Sequence, residues 1–194
     1  MTTTNNNQNK ILIVSAPSGA GKTSLTRALV SKFDDVGLTV SHTTRDLRPG
    51  EVDGVHYHFI EKSEFEKMIE DQQFIEYATV FENYYGTSVA EIQRLLDNGQ
   101  HAILDIDWQG ARKVREKFPS AISAFIIPPS MDVLEQRLRA RKRDSDEVIA
   151  RRMKEAESEL SHQGEYEFII INDDFTAALE QLEHILYRDI QTPN

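Results

Sequence analysis

The chain has 194 residues, of which 39% are hydrophobic, enough for one compact core that needs no metal or disulfide staple. It has no cysteine, which excludes a disulfide framework, a Cys-ligated zinc or iron–sulfur centre and a thiol nucleophile. A formal charge of −10 argues against a broad face for nucleic acid or anionic membrane, and aliphatic runs such as Ile11-Leu12-Ile13-Val14 fall far short of the ~18 residues of a membrane span.

Residues 1–9 are rich in Thr, Asn and Gln, without an apolar stretch or an early positive charge. They read as a disordered tail rather than an export signal, so the expected location is cytoplasmic. Lys10–Val14 then reads as a buried strand and Ser24–Phe33 as a helix. Leu38–Tyr85 breaks the pattern. It is rich in Thr, Tyr, Val and Phe, holds one convincing helix, and reads as a small, mostly antiparallel insertion. Ser63 with Glu66, and Ser88 with Glu91, each spell a capping box ahead of a helix, and Gly99 stops the second where a left-handed cap is expected. His101–Asp107, Ala121–Ile127 and Glu167–Asn172 read as further buried strands. Helices over Met131–Arg143, Asp146–Ser161 and Asp174–Ile190 complete the set. Strands alternating with helices predict an α/β fold, a parallel sheet flanked by helices on both faces.

Directly after the first strand comes Ser15-Ala16-Pro17-Ser18-Gly19-Ala20-Gly21-Lys22-Thr23, and then a helix. Strand, glycine-rich turn, Lys-Thr and helix make the layout of a P-loop. Backbone N–H groups of residues 16–23 converge on phosphate oxygens, and the helix N-terminus adds its partial positive charge. Lys22 is placed to neutralise β- and γ-phosphates, and Thr23 to offer its hydroxyl to Mg²⁺. Ala16 stands where the strict pattern has glycine. The loop indicates a nucleoside triphosphate but not the reaction. Asp107-Trp108-Gln109-Gly110 matches a GTPase D-x-x-G switch, yet no N-K-x-D string accompanies it. The nearest, Ser31-Lys32-Phe33-Asp34, lies in the first helix.

The inserted segment carries Ser41-His42-Thr43-Thr44-Arg45-Asp46-Leu47-Arg48-Pro49-Gly50-Glu51, then His56-Tyr57-His58-Phe59, Phe74-Ile75-Glu76-Tyr77 and Asn83-Tyr84-Tyr85-Gly86-Thr87. With the P-loop, the I-L-D-I-D of Ile103–Asp107, Pro128-Pro129-Ser130 and Asn172-Asp173-Asp174 in this order, the chain from about Lys10 to about Asp189 resembles the bacterial guanylate kinases. The resemblance implies a P-loop NTPase-like core over 10–36, 96–136 and 162–190, a small mixed α/β GMP-binding insertion over about 37–95, and a helical lid over about 137–161. It implies that Ser41, Arg45, Arg48, Tyr57 and Tyr85 hold the GMP phosphate, that Glu76 and Thr87 read guanine, and that Asp105 lies near GMP and the magnesium waters. Arginine suits a phosphate because its planar fork donates bidentately. A carboxylate accepts both the N1–H and the N2–H₂ of guanine, and adenine offers neither donor on that edge.

Asp105 and Asp107, two apart at a strand end, are expected on one face, where ligands meet a parallel sheet. His56 and His58 are likewise expected to point one way, but lack further ligands for a metal. Residues 137–152 carry a net charge of +4 against −14 for the rest, which suits a small polyanion. Arg137 and Arg141 share a helix face, and Arg152 follows a short turn. The resemblance implies that these three close as a catalytic lid with Lys22 and Arg45, and that Asn172 helps seat ATP. It has Arg141-Lys142 where the family usually has Arg-Gly. The expected reaction is Mg²⁺-dependent transfer from the co-substrate ATP to GMP. A catalytically inactive, guanylate-kinase-like interaction module and a kinase for another nucleoside monophosphate are the alternatives. The expected partners are small nucleotides, not nucleic acid or membrane, and a homo-oligomer is compatible with the sequence.

Overall fold

The computed structural model describes residues 9–80, 82–140 and 144–188. In chain order the first elements are β1 (Ile11–Ser15), α1 (Lys22–Lys32), β2 (Val36–Leu38), β3 (His42–Thr43), β4 (His58–Phe59) and α2 (Lys62–Glu70). Then come β5 (Phe74–Val80), β6 (Asn83–Ser88), α3 (Val89–Asp97), β7 (His101–Asp105), α4 (Trp108–Lys117) and β8 (Ile122–Ile127). Last are α5 (Met131–Ala140), α6 (Asp146–Leu160), β9 (Phe168–Ile171) and α7 (Phe175–Tyr187). Asn9, from the expected tail, donates to the Leu96 carbonyl at 3.1 Å. The rest of that tail, the end of the helix predicted to Arg143 and the end of that predicted to Ile190 lie outside the described residues.

Five strands form a parallel sheet in the order β2-β7-β1-β8-β9. All five residues of β1 are buried, and the four apolar ones divide between two cores. Leu12 and Val14 join Leu25 and Leu29 of α1 and Leu182 and Leu186 of α7. Ile11 and Ile13 join Ile92 and Leu95 of α3, Val114 of α4 and Phe125 of β8. Side chains alternate along a strand, so a strand covered on both faces reads as an unbroken apolar run. That is why β1, β7 and β8 are visible in the sequence.

A second, four-stranded sheet runs β4-β3-β6-β5. The β3–β6 and β5–β6 pairs are antiparallel, while β3 and β4 are parallel. Helix α2 holds this sheet by Phe65, which stacks on Phe74 with ring centroids 4.3 Å apart and tilts against Tyr84 at 5.2 Å.

Four local expectations are corrected. The Ser63 capping box is absent, because α2 begins two residues earlier than that cap requires and Glu61 is its N-cap. Asp107 does not extend β7 beside Asp105: the strand ends at Asp105, and Asp107 caps α4 by accepting the Gly110 N–H. His56 lies outside β4, so it does not pair with His58 on a strand; its Nδ1 accepts the Val52 N–H. The strand predicted over Glu167–Asn172 is not buried throughout. Among the described strands β9 is a sheet edge, and Ile169 and Ile171 are 47% and 54% exposed. The Ser88 cap and the left-handed Gly99, at φ 75°, are as expected.

Candidate active site

The P-loop joins β1 to α1 and lines a cavity of about 310 Å³ with Asp105 of β7. Ala20, fully buried, donates its N–H to the Pro17 carbonyl at 3.0 Å and tightens the turn. Gly19 and Gly21 take φ of 100° and 103°, the left-handed region that L side chains avoid. A Cβ on Gly21 would lie 2.3 Å from Asn172 Nδ2. Asn172, buried just after β9, donates that amide to the Ala20 carbonyl at 2.7 Å, and its own carbonyl accepts the Arg137 guanidinium at 2.8 Å. Asn172 thus joins the back of the loop to α5. Lys22 Nζ forms an ion pair with Asp105 and donates to the Ile106 carbonyl at 3.3 Å. The Thr23 hydroxyl donates to Asp105 at 3.1 Å.

The second half of the site lies on the smaller sheet. A β-bulge between Phe74 and Glu76 inserts Ile75, which turns into the core, and brings Glu76 opposite Thr87. Bulges re-aim side chains in this way. Burial pushes the Glu76 carboxyl up and the Asp107 charge adds to it; the Thr87 hydroxyl and N–H, which donate to it, and the Lys113 charge pull the other way. Thr87 is fully buried, and its hydroxyl meets that of Ser41 at 3.2 Å. Glu76, Thr87 and Ser41 are therefore one polar group.

Arg45 is gripped by Glu51 through two contacts of 2.8 and 2.9 Å. Glu51 also accepts the Arg48 N–H at 2.8 Å, and with Arg45 as the main cause its carboxyl falls to about 2. The Arg45 guanidinium lies over the rings of Tyr57 and Phe59, and the Tyr85 hydroxyl is a further partner. The Arg48 side chain is exposed. Tyr57 packs edge-on to Tyr85, with ring centroids 5.9 Å apart. Its hydroxyl, pushed up by burial first, also feels the charges of Arg45 and of Asp105, the partner of Lys22.

Of the arginines expected in a lid, Arg137 holds the Asn172 main-chain carbonyl and Arg152 pairs with Asp144 at 3.1 Å. Arg141 and the Arg141-Lys142 turn lie outside the described residues. Among the described residues, no three His, Cys, Asp or Glu side chains converge as a metal site.

A family model described as guanylate kinase matches residues 8–189. The chain belongs to the guanylate kinase family. The guanylate kinase of Methylococcus capsulatus is 55% identical over 179 residues, covering 92% of this chain and 88% of that one. The guanylate kinase of Aliivibrio fischeri is 57% identical over 178 residues, covering 91% and 86%. The crystal structure of guanylate kinase from Anaplasma phagocytophilum has a TM-score of 0.72 at 32% identity and covers 93% of this chain and 85% of that one.

Three contacts of this guanylate kinase family member go beyond the sequence reading. Glu51 closes the same loop motif as Arg45, and a carboxylate six residues after an arginine on a glycine-containing loop was a usable signal. The Asn172 brace and the Glu159 contact with the Ser18 N–H, at 3.2 Å, had none, because they join residues 152 and 141 positions apart.

Proposed function

We propose that the protein catalyses ATP + GMP ⇌ ADP + GDP. What supports this reading is a pair of basic sites on two sheets: Lys22, held by Asp105, on the core, and Arg45, lying over Tyr57, on the smaller sheet. The P-loop amides and Lys22 hold the triphosphate. Arg45, Arg48, Tyr57 and Tyr85 hold the GMP phosphate, and Glu76, Thr87 and Ser41 receive guanine. These polar groups, left unpaired by the wrong base, reject it.

A GMP phosphate oxygen attacks the γ-phosphorus, the bond to the β–γ bridging oxygen breaks, and ADP leaves with that electron pair. The attacking oxygen is already ionised, so no general base is needed. Lys22 and lid residues Arg137, Arg141 and Arg152 neutralise charge spreading onto the transferred group. Closing of the insertion and lid excludes water from the transfer.

The oxygen donors suit Mg²⁺, which keeps several waters and takes few protein ligands, so no carboxylate cage is required. Thr23 Oγ1 and Asp105, 3.1 Å apart, are the side chains placed to hold it, Asp105 through water. When bound, the ion supplies charge neutralisation between the phosphates. The described helices include none long and apolar enough to cross a membrane, and a cytoplasmic location is part of the same proposal.

The test is ADP release coupled to an indicator enzyme, with ATP and Mg²⁺ against GMP, dGMP, AMP, CMP and UMP. Turnover is expected with GMP. Robust turnover on AMP with none on GMP overturns the assignment.

A further inference from the structure

Glu159 has no part in the mechanism above. It stands in the last turn of α6, yet its carboxylate reaches the P-loop and accepts the Ser18 N–H at 3.2 Å. It lines the same cavity as Lys22, Thr23 and Asp105 and lies in the field of the Lys22 ammonium. Main-chain N–H groups of a P-loop are aimed at phosphate oxygens, and a carboxylate oxygen accepts the same charge-assisted hydrogen bonds. Burial pushes this carboxyl up, and Asp107 and Glu155 add to it, while the Ser18 N–H and Lys22 draw it down. The loop is the source of the dipole and charge that make the site tolerable for an anion.

Position along the loop decides which phosphate the carboxylate opposes. Thr23 and the start of α1 form the inner end, and a P-loop lysine reaches the β- and γ-phosphates. Ser18 lies four residues upstream of Lys22, and Glu159 approaches from the lid helix, outside the loop. Its carboxylate lines the cavity beside the Lys22 ammonium, the group that serves the β- and γ-phosphates, and so opposes the phosphate that ATP has and ADP lacks.

We propose that Glu159 is a resident anion of the P-loop, which the γ-phosphate of ATP displaces and ADP leaves in place. It thereby sets the balance between ATP and ADP, and fastens lid helix α6 to the loop until a triphosphate arrives. The inference rests on the phosphotransferase reading. A γ-phosphate and the carboxylate share the field of Lys22 and repel each other, so ATP bears a cost that ADP largely escapes.

Glu159→Gln keeps the shape and an acceptor but removes the charge. ATP and ADP are titrated calorimetrically against the full-length wild type and variant at one ionic strength. The dissociation constant for ATP is expected to fall about tenfold and that for ADP by no more than about twofold. An unchanged or weakened affinity for ATP overturns the proposal, and so does equal tightening of both nucleotides. Thermal unfolding checks the fold. Should the Gln variant not fold, Glu159→Ala carries the same expectation. Wild-type protein that phosphorylates GMP while the variants keep its ATP/ADP ratio refutes this inference alone. Wild-type protein without GMP-dependent ADP release refutes the reading beneath it.

Discussion

Glu76 is a carboxylate whose surroundings pull its charge in opposite directions. Burial is the largest influence and raises its pKa, and the net shift is upward despite the hydrogen bonds from Thr87. The folded state therefore holds this proton more tightly than the unfolded chain. The stability this group contributes grows as pH falls through its folded pKa and is lost above it. The guanine recognition proposed for Glu76 has the opposite sign, since the N1–H and N2–H₂ donors need the ionised acceptor. On acidification the KM for GMP is expected to rise before the KM for ATP does. Glu76→Gln should flatten that difference, raise the KM for GMP by about a hundredfold and leave the KM for ATP within about twofold, read from initial rates across pH. Gly21 makes a second prediction at this scale. Gly21→Ala meets both a positive φ and the Asn172 amide at 2.3 Å, whereas Gly99→Ala meets a positive φ with open space around it. Left-handed strain alone costs about 1–2 kcal/mol. Urea unfolding should place Gly99→Ala in that range and Gly21→Ala clearly beyond it, with ATP binding lost only in the latter.

Among the elements, the two capping boxes separate what a motif states from what a helix uses. Ser88 is 3% exposed and accepts the Glu91 N–H at 3.2 Å, while Ser63 sits inside the first turn of α2, past its N-cap. Ser88→Ala should cost about 1 kcal/mol and lower the melting temperature by about 2–4 °C, and Ser63→Ala should change it by tenths of a kcal/mol. Equal effects would mean that serine at these positions acts through propensity alone. The same contrast explains what could be read in the sequence. Strands β1, β7 and β8 carry long apolar runs because both their faces are covered, so the parallel core was legible. Strands β3 and β4 have two residues each, too few for any periodicity, and the parallel β3–β4 pair gave no local signal. The exposed face of β9 was misread because an apolar run does not reveal that a strand lies at an edge. The P-loop and the Arg45–Arg48 motif were legible because each is contiguous. Glu159 was not, since it lies on a helix whose neighbours drew attention for their positive charge.

On the scale of the whole molecule, the site is divided between two sheets, and Glu91 is one place where they are fastened. It belongs to α3, whose apolar side packs on the central sheet, yet its carboxylate accepts the Val40 N–H at 3.1 Å in the segment leading from β2 into β3. Arg94 donates to both of its oxygens at 2.8 and 2.9 Å, and His58 of β4 stands 3.9 Å away. Burial pushes the Glu91 carboxyl up, but Arg94, the Val40 N–H and His58 together outweigh it, and the pKa is lowered. A carboxyl lowered on folding contributes stability above its unfolded pKa and loses it as pH falls through the folded value. Glu91→Gln leaves Val40 and Arg94 with weaker partners and should cost about 2 kcal/mol in urea unfolding at neutral pH. That deficit should shrink in acid, where the wild-type carboxylate is itself protonated. Because Val40 adjoins Ser41, loosening this anchor shifts the proposed GMP pocket relative to Lys22 and leaves the P-loop untouched. The KM for GMP should therefore rise several-fold while ATP affinity stays at the wild-type value; equal loss of both would mean that Glu91 supports the core as a whole rather than the join between its sheets.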